Sequence, residues 1–100
     1  MYLLQGKLTA KEGHKKELAQ IPIEASHLIS QAKGSKIYVV GENENDDNDV
    51  YVTEILESKE DHDNSLNFPG VKELILKAMP ILSGAPKKGS EFKILGGSGI

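Results

Sequence analysis

The sequence predicts an α+β fold of ferredoxin-like type, β-α-β-β-α-β, an antiparallel sheet with helices on one face. Three observations predict it. Four short runs are β-branched, aromatic or alternating: Tyr2 to Leu8, Lys36 to Gly41, Val50 to Glu57 and Glu91 to Leu95. Apolar residues recur at helical spacing in the windows between the first and second and between the third and fourth. Pro, Gly and amide clusters punctuate the boundaries.

After the first strand, Thr9 to Glu12 offers a capping box before a helix. Leu18, Ile21, Ala25, Leu28, Ile29 and Ala32 then share one helical face, with Gly34 as the stop. Pro22 lacks the N–H that would bond the Leu18 carbonyl, so one kinked helix is expected. Eight acidic or amide residues, Glu42 to Asp49, join the second and third strands; such a run cannot enter a core and reads as a hairpin loop. Ser58 caps a short helix from Lys59 to about Asn67, with acidic residues in its first turn. Phe68-Pro69-Gly70 interrupts it, and a second helix carries Val71, Leu74, Ile75, Ala78 and Leu82 on one stripe until Pro80 bends or ends it. Ser83 to Gly89 reads as a loop, and the Gly-rich end from Gly96 as a flexible tail.

One hundred residues make a single domain, 1–100. The absence of cysteine removes disulfides, thiolate metal sites and a cysteine nucleophile. The net charge of -3 gives no basic face for nucleic acid. The acidity is local: five carboxylates lie in the hairpin, so the rest of the chain is net positive. That hairpin has no Gly for a calcium-loop turn and reads as solvated. No run of 18 apolar residues suggests a membrane span, and the N-terminal apolar stretch is too short for a signal peptide, so a cytoplasmic protein is expected. The three histidines are too scattered for a metal cluster, and neither a metal nor another cofactor is expected.

Alternation on the third strand puts Val50, Val52, Glu54 and Leu56 on one face and Tyr51, Thr53, Ile55 and Glu57 on the other. The second strand is apolar on both faces, with Tyr38 and Val40 against Ile37 and Val39. A sheet apolar on both sides wants two covers, helices on one and a second copy of the sheet on the other, so a homodimer is expected.

The stretches GKLTAKEGHKKEL, KIYVVG, VYVTEILESKEDHDNSL and FPGVKELI resemble the antibiotic biosynthesis monooxygenase family across nearly the whole chain. The most specific part runs from Glu54 through Leu56 and Ser58 to His62, where the family commonly reads Glu-x-Trp-x-Ser-x-Glu/Asp. The resemblance implies a dimeric α+β barrel and cofactor-independent oxygenation of a small aromatic or quinol by O2, in a pocket between sheet and helices. Three positions depart from the family: Leu56 stands for its Trp, Val52 for the Asn of better-defined members, and Ile75 where heme-degrading relatives have an iron-binding His. A non-catalytic barrel that binds a small apolar ligand, in a stress or regulatory role, stays open as the alternative.

Three residues are candidates for proton chemistry. Glu54 aims a carboxylate among apolar neighbours, which suits a general acid or base. His62, one turn into the helix after Ser58, is the side chain that titrates nearest neutral pH. Tyr38 can donate a hydrogen bond to a substrate oxygen. Val52, Leu56, Leu74 and Met79 are the expected pocket lining, while His14 and His27 read as surface residues.

Overall fold

The computed structural model describes residues 1–45, 48–84 and 89–100. Its elements are β1 (Tyr2–Thr9), α1 (Lys15–Ile29), β2 (Ser35–Gly41), β3 (Asp49–Leu56), α2 (Lys59–Ser65), α3 (Val71–Ala78), a 3-10 turn (Met79–Ile81) and β4 (Ser90–Lys93). The sheet order is β2-β3-β1-β4, and every neighbouring pair is antiparallel. This is the predicted ferredoxin-like α+β arrangement.

Register fixes the faces. Leu8 lies opposite Val50, Gly6 opposite Val52, Leu4 opposite Glu54 and Tyr2 opposite Leu56. On the other side of β3, Val40 meets Val52 and Tyr38 meets Glu54. Because strand side chains alternate, these residues share the face beneath α1 and α3. Leu18, Val50, Ala10, Ala78, Ile81 and Leu82 form one buried cluster there; Ala25, Ile29, Val71 and Leu74 form another, and Ile21 packs against both. Leu3, Ile37, Val39, Tyr51, Ile55 and Phe92 occupy the opposite face by the same alternation.

Two helix-end expectations change. Thr9 builds no capping box: its hydroxyl donates to Asp49 Oδ1 at 2.5 Å, across the β1–β3 pair. Helix α1 starts instead after His14, which caps it with no side-chain bond. The helix is one continuous element around the buried Pro22, and it ends at Ile29 rather than near Lys33. Gln31 and Ala32 donate to Leu28 and Ile29 in tightened turns that lead to Gly34. Gly34 has φ +80, and a Cβ there would run into the Asp61 carboxylate, so both the backbone and the close approach of α2 demand glycine.

Ser58 caps α2 as expected, its hydroxyl oxygen accepting from the Asp61 N–H at 3.1 Å. Pro80 turns the end of α3 into the 3-10 turn, and Ala10 bridges to Leu82 beside it. The last strand is shorter than expected and stops at Lys93. Residues 46–47 of the acidic hairpin and 85–88 of the predicted loop before β4 lie outside the described residues.

Candidate active site

A cavity of about 250 Å³ lies between the sheet and the helices. Ile21, Pro22 and Ala25 of α1 form one wall; Val71, Leu74, Ile75 and Ala78 of α3 form another, and Met79 and Leu66 also border it. The floor is the sheet, represented by Leu8, Tyr38 and Glu54. The cavity draws its lining from both core clusters. Among the described residues, its polar side chains are those of Tyr38 and Glu54.

Local structure brings the proton-bearing candidates together. Tyr38 and Glu54 are cross-strand partners, so both point at the helices from adjacent strands. The Ser58 cap starts α2 immediately after β3, and one turn carries His62 back over the strand end. His62 Nε2 comes to 3.6 Å from Glu54 Oε2, an ion-pair distance longer than a good hydrogen bond. On the other side of the ring, Nδ1 is 3.2 Å from Asp63 Oδ1. Tyr2 of β1 packs on the imidazole with ring centroids 5.8 Å apart.

The electrostatics follow from this placement. The Glu54 carboxylate is the main reason that His62 titrates above its usual value; burial works against the shift, and Asp63 adds to it. Burial, then the nearby charge of Glu54, raises the Tyr38 phenol well above the usual tyrosine range. Tyr38 therefore keeps its proton and stays a hydrogen-bond donor at neutral pH.

The other sequence candidates divide. Leu74 and Met79 border the cavity. Val52 and Leu56 share the sheet face of Glu54 but are not among the residues bordering the cavity; Leu56 is fully buried near the far end of β3. His62 is likewise not a lining residue and stands behind Glu54. Ile75 is on the cavity wall, and His14 and His27 lie away from it, His14 pairing with Glu17 at 3.2 Å. The α1 wall and Tyr2 were not among the candidates. The signal for Pro22 was present in its misfit with a helix interior, whereas Tyr2 reaches His62 only through the β1–β3 register.

No protein-family model matches the chain, and a search of curated proteins gives no match. Among solved structures, it is similar to a candidate antibiotic biosynthesis monooxygenase of Chloroflexus aurantiacus. The identity is 32% and the TM-score 0.86, over 99% of this chain and 97% of that one. The chain belongs to the antibiotic biosynthesis monooxygenase family. A candidate antibiotic biosynthesis monooxygenase of Deinococcus radiodurans shares the fold, at 21% identity and TM-score 0.82, over 100% and 98% of the two chains. So does SnoaB of Streptomyces nogalater, a cofactor-independent oxygenase, at 10% identity and TM-score 0.79, over 97% and 95%.

Proposed function

We propose that this family member is a cofactor-independent monooxygenase that oxidises a small phenol or quinol with O2 in the cavity beneath α1 and α3. The observation that carries the reading is an apolar chamber whose polar wall, among the described residues, is Tyr38 beside Glu54. An aromatic ring fits such walls, and two adjacent polar groups suffice to orient one ring oxygen.

The chemistry needs little from the protein, because a phenolate can itself reduce dioxygen. Glu54 accepts the phenolic proton while Tyr38 donates a hydrogen bond to the oxygen left behind. The phenolate passes an electron to O2, and the two radicals combine into a C–O bond at a ring carbon that bears hydrogen, ortho or para to the phenolic oxygen. Loss of the proton on that carbon with cleavage of the O–O bond leaves a carbonyl. The departing oxygen takes up both released protons and leaves as water, so phenol plus O2 gives quinone plus water.

The proposal includes a homodimer. Val39, Tyr51 and Phe92 are exposed on the face of the sheet that carries no helix among the described residues, and an apolar sheet face of this kind is suited to a second copy.

The test is oxygen uptake with 1,4-dihydroxynaphthalene in the absence of flavin, metal and heme, corrected for autoxidation. Uptake above background is expected, and Glu54→Gln should slow it about 100-fold. Saturable binding without uptake across a panel of hydroquinones would replace catalysis with capture of a small apolar ligand.

A further inference from the structure

Oxygenation of a phenol makes a demand that the lining alone does not meet. The phenolic proton must leave before electron transfer and come back to reduced oxygen afterwards, and among the described residues the largely apolar lining offers one carboxylate, Glu54, to carry it. Glu54 faces the cavity, and its carboxylate is only 10% exposed. Behind it His62 is 13% exposed, and behind His62 the Asp63 carboxylate is 60% exposed. The three side chains thus form a graded line from the chamber to solvent, with steps of 3.6 and 3.2 Å.

We propose that Glu54, His62 and Asp63 form a proton relay through the cavity wall, with His62 as the shuttle and Asp63 as its positioning residue. This rests on the oxygenase reading above and assigns roles to two residues that do not line the chamber. Asp63 holds the Nδ1–H of the neutral imidazole, which leaves the Nε2 lone pair toward Glu54. A proton taken by Glu54 moves to Nε2, the Nδ1 proton moves to Asp63, and Asp63 exchanges it with water. The reverse sequence returns a proton to the reduced oxygen and restores the starting tautomer. A step of 3.6 Å is typical of catalytic hydrogen bonds in unliganded sites, which tighten only once substrate is bound.

The charged and titratable surroundings of His62 fit this role. Glu54 faces it from β3, Asp63 from its own helix and Tyr2 from β1. At the same end of the sheet, Lys59 of α2 is 3.9 Å from Glu91 of β4, and Lys93 lies opposite Tyr2. Both carboxylates favour the imidazolium, so the relay needs a pH above the raised His62 value.

The test uses 4-nitrophenol, whose phenolate is coloured and is not consumed by oxygen. A photoacid proton pulse then reports how fast the cavity-bound phenolate is reprotonated. His62→Gln should slow this step at least tenfold, with partial rescue by added imidazole. Asp63→Asn should slow it several-fold and move the acid limb of the turnover profile to lower pH. Unchanged reprotonation in both variants overturns the relay and leaves the oxygenase reading standing. Failure of 4-nitrophenol to bind the wild-type protein overturns the cavity reading and the relay with it. If the variants do not fold, the imidazole nitrogen shifts of wild-type His62 decide: a neutral form protonated at Nδ1 is expected, and one protonated at Nε2 overturns the relay.

Discussion

Val50 and Leu56 on one face of β3 are 0% and 1% exposed, whereas Tyr51 on the opposite face is 37% exposed and Val39 on β2 is 54% exposed. Both faces alternate in the same way, and both are rich in apolar residues. The difference is the cover: α1 and α3 lie across one face, and among the described residues no helix packs on the other. Burial on the covered face is also what gives Glu54 its character. A carboxylate between Val52 and Leu56 is removed from water and left with Tyr38 and His62 as its polar neighbours. On the opposite face Thr53 and Gln5 sit as cross-strand partners. One sheet therefore carries a covered face with an apolar cavity and an opposite face with exposed apolar residues.

The sharpest way to break this comparison is to remove equivalent packing from each side. Leu18→Ala, beneath the covered face, should destabilise the fold by about 3 kcal/mol, because a fully buried leucine leaves a cavity that its neighbours cannot close. Val39→Ala on the open face should cost less than about 0.5 kcal/mol in dilute protein. Urea denaturation of the two variants measures both, and equal losses would mean that the open face is covered within one chain.

A second perturbation addresses what covers the open face. Phe92→Glu introduces a charge into the exposed apolar row without touching the cavity. Sedimentation should give twice the 10.9 kDa chain mass for the unaltered protein and the single chain mass for the variant. A unaltered protein that sediments as a single chain at micromolar concentration would remove the dimer from the proposal.

Smaller effects sharpen the description of the covered face. Ser58→Ala removes the α2 cap and should cost about 1 kcal/mol in thermal or urea unfolding. Because α2 carries His62, the variant should also lower turnover, and unaltered turnover would show that the His62 position does not depend on the cap. The pH dependence of stability has a definite sign. The folded protein raises the His62 pKa, so its contribution is fully present below the unfolded value near 6.5 and is lost as pH rises through the folded value. His62→Gln should flatten that part of the stability profile. Glu57, exposed and held at 2.8 Å by Lys36, is shifted downward by that lysine and behaves oppositely: its contribution is lost as pH falls.

Much of the architecture was legible because its causes are local. Alternation in Val50 to Leu56 sorts the two faces of β3, and Ser58 and Pro80 mark ends through their own backbone chemistry. The Thr9 capping box does not form because the same hydroxyl serves a cross-strand bond, and its partner is Asp49, forty residues away in sequence. Val52 and Leu56 shared the right sheet face with Glu54, but a face is wider than a cavity, and where α1 and α3 leave space depends on how they cross it. Tyr38, Glu54 and His62 were each recognisable as proton-bearing residues; that His62 stands behind Glu54 was not.

By itself the sequence determined the order of the elements, the two-sided apolar character of the sheet and the family to which the chain is similar. These depend on spacing and residue type, which act over a few neighbouring positions. Tertiary structure decided which apolar side chains border empty space, which partner Thr9 takes and how the Glu54 carboxylate meets the imidazole of His62. Those outcomes require register across β1, β2 and β3 and the return of α2 over the sheet, so they exist only once distant segments have packed together.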